Sequence, residues 1–330
     1  MSGEAPAASI PTRLGGPLVA IAAMAAIFAV APFVGIYPVF LMKALCFALF
    51  ACAFNLLIGF GGLLSFGHAM FLGTAGYVCA HAAKEWGWPP EAAILLGTAA
   101  SAALGIVTGL VTIRRQGIYF AMITLALAQM VFFFYLQTPF THGEDGIQSV
   151  PRGMLLGALD LRNPLTMYYV VLVIFLAAFL LIFRVIRSPF GQVLKAIREN
   201  EPRAISLGYD VDRYKLLAFV LSAALAGLAG ATKAIVFQLA SLTDVHWTMS
   251  GEVVLMTLLG GMGTIFGPVV GAFVFVSIET YLSAGLTVFG YTFGAQWVPV
   301  LTGFIFVICV LAFRRGIVGE IGAWWDRVKR

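Results

Sequence analysis

The chain has 330 residues, of which 61% are hydrophobic and only 11% charged, with a mean hydropathy of +0.97. So apolar a composition excludes a soluble globular domain and leaves a polytopic membrane protein. The net charge of +5 is small and gathers between apolar segments, which argues for membrane orientation and against nucleic-acid binding.

Residues 1–16 are polar and rich in Ala, Pro and Gly, and read as a disordered cytoplasmic tail. The apolar run after them lacks a convincing cleavage site, so it reads as a retained first span. Apolar runs that cross, or nearly cross, a core needing about 20 helical residues fall near 18–35, 39–60, 62–82, 91–113, 117–137, 167–186, 214–240, 250–266, 268–284 and 297–313. These make one transmembrane domain over 17–313, followed by a cytoplasmic tail at 314–330. With both termini inside, fifteen of the twenty basic residues lie on the inner side, as the positive-inside rule requires.

Two regions are interrupted: 39–82 by Gly59, Gly61 and Gly62, and 250–284 by Gly260, Gly261, Gly263, Gly267 and Pro268. Broken helices at membrane depth are tolerated where they are buried in protein or line a cavity, so the ten runs also fit eight spans plus re-entrant pieces. Ser65 and His68 follow the first break. They belong either beside a pathway or on a carbonyl freed by the break. Asn55, Gln129 and Gln238 are intramembrane amides that suit helix-to-helix contact. Lys233 and Glu252 fall near the outer ends of their spans, where they either pair or snorkel separately. Cys46, Cys52, Cys79 and Cys309 show no CxxC pairing and read as buried free thiols, with no metal site.

The outer loop, 138–166, carries THGEDGIQSVP and reads as a cap over the outer mouth. The one long polar block is the inner loop 188–213. Phe190, Val193, Leu194 and Ile197 repeat at helical spacing, with Lys195, Arg198 and Glu199 opposite. Asn200 caps a second short helix whose apolar face is Ala204, Ile205 and Leu207, and Gly208 stops it. Asp212 is the expected cap of the next span. Pattern alone fits either a gripped helical knob or a basic loop lying on headgroups. After it, Ala223, Gly227 and Ala231 form one small-residue stripe, and Ala226 and Gly230 another, which allow close helix contact.

No glycine-rich piece is followed by the Lys-Ser/Thr of a phosphate loop, so any ATP is hydrolysed by a partner. A secondary carrier would need intramembrane acids, which are scarce. A membrane enzyme would have only the scattered His68, His81 and Glu252 to work with.

Four blocks resemble the permease subunits of Liv-type branched-chain amino acid importers: FNLLIGFGGLLSFGHAMFLGTAGY (54–77), THGEDGIQSVP (141–151), FGQVLKAIRENEPRAISLGYDVDRYKLLAFVLSAALAGLAG (190–230) and VLMTLLGGMGTIFGPVVGA (254–272). The resemblance implies an all-α, type II importer permease of about ten transmembrane or re-entrant helices in a bacterial inner membrane. It implies as partners a second related permease, two ATP-binding cassette ATPases and a periplasmic binding protein, with ATP bound only by the partners and no cofactor or catalytic residue here. It makes the third block the coupling loop, with Glu201, Arg203, Ala204, Ile205, Leu207 and Gly208 against the ATPase. Gly59, Gly61, Gly62, Ser65, His68, Gly260, Gly261, Gly263 and Pro268 are pathway or helix-break candidates. Arg203 departs from the family pattern, which has a small residue there. The family also holds relatives for urea, short amides and aromatic acids.

Overall fold

A computed structural model describes residues 15–283, 286–288, 291–293, 298–312 and 316–320. Residues 1–14 and most of the expected C-terminal tail lie outside the described residues. The fold is all-α and multi-pass. One unit, residues 1–37, contains helix α1 (Gly15–Val30), which continues into a 3₁₀ turn over Ala31–Val34. The second unit begins at Pro38 and holds the rest of the chain.

Its helices are α2 (Pro38–Asn55), α3 (His68–Lys84), α4 (Pro90–Thr112), α5 (Gly117–Gln137), α6 (Pro164–Arg187), α7 (Pro189–Glu199), α8 (Glu201–Ser206), α9 (Val211–Phe237), α10 (Trp247–Gly260), α11 (Gly267–Ser283) and α12 (Val298–Ala312). Each apolar run expected from the sequence holds a helix; among the described residues five helices are long and apolar enough to cross a membrane, and the rest are shorter, as expected of spans mixed with re-entrant pieces. The glycine and proline interruptions cut α3 and α11 to 17 residues each and α10 to 14, short of a full crossing.

Helix α2 is the central post. It continues through a π-helical turn, Leu56–Phe60, and 89% of this span is buried, against 22% for α5. Helix α9 packs on α2, α3 and α4. The expected stripe Ala223, Gly227 and Ala231 meets Gly105, Ser101 and Gly97 of α4, residue for residue and antiparallel, and Ser101 donates to the Ala223 carbonyl at 2.8 Å. Both helices place a small residue every fourth position, so the backbones approach where lipid supplies no hydrophobic drive. The second stripe works against α3: Gly230 lies on the backbone of Leu72, where a Cβ would collide. Large apolar side chains left exposed on α4 and α5, such as Leu95, Leu110, Met122 and Phe133, face the lipid side of a spanning bundle.

Contacts sort the connections into two ends. At one end lie 113–116, α7, α8 and the turn 261–266. At the other, 138–163 is pinned to the end of α9: β1 (Ile147–Gln148) pairs with Leu239–Ala240, and Arg152 donates to the Val236 carbonyl at 2.7 Å. Two further two-stranded ribbons are present, Met154–Leu155 with Leu159–Asp160 and Leu286–Val288 with Tyr291–Phe293.

Candidate functional site: the hairpin seated on the helix breaks

The polar block folds as a helical hairpin. Ser188 caps α7 by accepting from the Gly191 N–H, and Asn200 caps α8 by accepting from the Arg203 N–H at 3.1 Å. Gly208, at φ +85°, closes α8 with paired bonds, Gly208 N–H to Ile205 C=O at 2.9 Å and Tyr209 N–H to Ala204 C=O at 3.2 Å, the geometry of a Schellman stop. Helix α9 is capped by Asp210, not Asp212: Asp210 accepts from the Arg213 N–H and pairs with its guanidinium at 2.7 Å. Gly208 reverses the chain early enough for Asp210 to take that place.

Two of the six expected docking residues are used inside the molecule. Ala204 is 3% exposed and forms the hairpin's own core with Ile197 and Val211, so it does not present itself to a partner. The Glu201 carboxylate bonds Lys215 at 2.6 Å and accepts from Gln116 at 2.9 Å, which ties α8 to α9 and to the α4–α5 connection. Arg203 is exposed, and Ile205 and Leu207 leave 58% and 68% of their surface open.

The opposite side of α7 is in part turned inward: Arg198 and Glu199 stay exposed and Lys195 is half-buried, yet two of the three reach the helix breaks. Arg198 donates to the Gly59 carbonyl in the π-helical turn, and its methylene stem lies over Gly62, where a Cβ would meet Cγ at 2.9 Å. Gly62 needs glycine twice, since its φ is +72°. Lys195 stands over the Phe60 ring at 5.6 Å, and Leu194 reaches Gly61 at 3.8 Å, measured to the position of an added Cβ.

The two breaks also hold each other. Asn55, 3% exposed, donates to the Thr264 carbonyl and accepts from the Gly263 N–H, both at 2.9 Å. Gly59 sits between them, and a Cβ there would strike the Asn55 amide and lie 2.7 Å from the Gly263 nitrogen. Gly260 packs on the Gly267 carbonyl and Gly271 on the Met256 carbonyl, so α10 and α11 run antiparallel in contact. Gly261 and Gly263 make the turn at φ +120° and +78°, and Pro268 is buried in the first turn of α11. From sequence Asn55 read as a helix-to-helix contact; its partners are instead backbone groups of the turn between α10 and α11. Arg198 was missed, because helical spacing placed it on the polar side and nothing local reveals an i to i−139 contact.

After the first break the chain runs without regular secondary structure to His68. That residue lies opposite Ser222, eleven residues into α9, or about 17 Å along its axis. The break therefore lies well inside the bundle, and protein satisfies its backbone: Thr124 accepts from the Phe66 N–H, Ser65 from Gly67 and Ser250 from Ala69. His68 is fully buried among Phe54, Phe71 and Phe219. Its Nε2 is 2.9 Å from the Ser222 hydroxyl, which donates to the Ala53 carbonyl at 2.6 Å, so Nε2 carries the proton. His68 itself bonds the Ser222 hydroxyl, and the serine, not the histidine, reaches a backbone carbonyl.

At the far end, Lys233 pairs with Asp244 and not with Glu252, because Asp244 arrives in the 3₁₀ turn directly after α9. Lys43 pairs with Glu279 at 2.9 Å. Cys46, Cys52 and Cys79 are buried free thiols.

Interrupted helices locked together and bearing a capped hairpin on one end make a multi-pass helical membrane protein. Residues 36–310 match the family model described as branched-chain amino acid transport system / permease component, and the chain belongs to that family. It is 29% identical over 245 residues to the high-affinity branched-chain amino acid transport system permease protein LivM of Salmonella typhimurium, and equally to that of Escherichia coli, in each case over 67% of this chain. It spans 58% of the length of those two relatives. It is also 25% identical over 238 residues to the fructose import permease protein FrcC of Rhizobium meliloti, covering 68% of this chain and 63% of the relative. No solved structure matches.

Proposed function

We propose that this protein is a permease subunit of an ATP-driven importer of branched-chain amino acids, working with a second related permease, two ATP-binding cassette subunits and a periplasmic binding protein. The hairpin end faces the cytoplasm of a bacterial inner membrane, and the 138–163 end faces outward. Arg114, Arg115, Arg184, Arg187, Lys195, Arg198, Arg203, Arg213 and Lys215 gather toward the hairpin, against Lys84, Arg152 and Arg162 in the connections of the other end and Lys43 and Lys233 near that end of their helices, in support of that orientation.

The observation that carries the reading is the two-sided hairpin. One side is fixed to both helix breaks through Arg198 and Gly59, and the other leaves Ile205 and Leu207 open. Such a body grips an ATPase and moves the breaks as a rigid unit. The test is Leu207→Asp in the co-expressed assembly. The aspartate removes a central apolar contact of the kind that commonly contributes about 1 to 3 kcal/mol, so the ATPases should be lost from permease pull-downs and substrate-stimulated hydrolysis abolished. Wild-type retention and hydrolysis would overturn the docking role.

A further inference from the structure

Between α10, α11 and α12 lies a cavity of about 510 Å³, within the size range of small-molecule sites. Glu252 and Glu279 line it on the polar side, and Trp247, Leu255 and Phe275 on the apolar side. Glu279 is already bonded to Lys43. Glu252 has no hydrogen bond or ion pair among the described residues, although Glu279, Lys43, Lys233 and Asp244 all act on it electrostatically. The cluster therefore holds three carboxylates against two ammonium groups, and the second ammonium, Lys233, is committed to Asp244. The Thr302 hydroxyl also faces this cavity, buried and without a partner among the described residues.

An ionisable group held inside a membrane protein without its counter-charge is costly and marks a pathway or a ligand. Two carboxylates, one already committed, provide too few oxygens for a metal ion, which would need about six. An ammonium group needs only one free carboxylate and a hydroxyl, and the aromatic and aliphatic walls suit an attached apolar side chain.

We propose that this cavity is a stopping point for the cargo, in which Glu252 takes the ammonium group of an aliphatic amino acid and Leu255 and Phe275 take its side chain. This inference rests on the importer reading. Glu252 is a specificity-determining residue: it selects for an ammonium group over an otherwise identical acid.

The experiment uses the full assembly in proteoliposomes, with Ser283→Cys at the cavity rim in a chain whose own four cysteines are replaced. Millimolar L-leucine should slow modification of that thiol by N-ethylmaleimide, and 4-methylpentanoate, which is leucine without its ammonium, should not. In Glu252→Gln the protection should disappear and leucine import fall about tenfold or more, the factor expected for one lost bond between charged groups, with ATPase retention unchanged. Glu252→Asp should restore part of both. Equal protection by 4-methylpentanoate, protection that survives in Glu252→Gln, or none in wild type would each overturn the site. In those cases leucine import by the wild-type assembly would leave the importer reading standing, whereas no import of any branched-chain amino acid would remove that reading itself.

Discussion

The side-chain amide of Asn55 replaces a missing stretch of secondary structure: it accepts from the Gly263 N–H and donates to the Thr264 carbonyl, 208 and 209 residues away in the chain. Two backbone groups of the second break thus depend on one side chain at the end of α2. Asn55→Leu keeps the volume and leaves both groups, on half-buried residues, without their partner. Each unsatisfied group costs about 1 to 3 kcal/mol, so the detergent-solubilised protein should unfold several degrees lower. Heating with a thiol-reactive dye reads this directly, because Cys46, Cys52 and Cys79 are buried until the bundle opens. An unchanged midpoint would show that the clasp does not hold the breaks together.

Glu201 belongs to the fold as much as to any partner. Its bond to Lys215 joins a side chain 22% exposed to one only 4% exposed. Removing one member of such a pair strands a buried charge, at a cost of about 3 kcal/mol. Glu201→Gln should therefore loosen α8 from α9 in the isolated permease, seen as faster amide exchange at 201–208. Glu201→Gln with Lys215→Met should recover most of the protection, since neither charge is then left alone. Exchange unaffected in Glu201→Gln would return Glu201 to a purely external role.

Much of this was legible from residue pattern, because the signals are local. Asn200 and Gly208 mark the ends of α8, and the small-residue stripes of α9 fall at the spacing that contacts α3 and α4. Two kinds of information were not. Pairings between distant segments, such as Arg198 with Gly59 or Lys233 with Asp244, have no local signature. The face of a six-residue helix is also too short a pattern to separate Ala204, which turns inward onto Ile197, from Ile205 and Leu207, which do not.

The Lys233–Asp244 pair gives a test of the far end. The side chains are 15% and 13% exposed, and the lysine ammonium also stands 5.5 Å from the Phe47 ring. Lys233→Met should destabilise by about 3 kcal/mol, as expected when a buried partner is left alone. Lys233→Met with Asp244→Asn should cost less than Lys233→Met alone. If the double variant is no better than the single one, the two groups are not coupled and Lys233 serves another partner.

Arg198 separates docking from transmission. It comes from the same hairpin as Leu207 but reaches inward, to the Gly59 carbonyl at the point where Gly59 touches Asn55 and Gly263. Shortening it to Gln keeps the hairpin's core of Ile197, Ala204 and Val211 and leaves Leu207 open. Arg198→Gln should therefore keep the ATPases in a pull-down while lowering both import and substrate-stimulated hydrolysis about tenfold, the effect of losing one charge-assisted bond at a rigid contact. Arg198→Lys, which keeps a donor and the charge but not the planar fork, should fall between the two. Loss of the ATPases in Arg198→Gln, as expected for Leu207→Asp, would place the guanidinium at the dock. Wild-type import in Arg198→Gln would mean that the hairpin drives the helix breaks by another route.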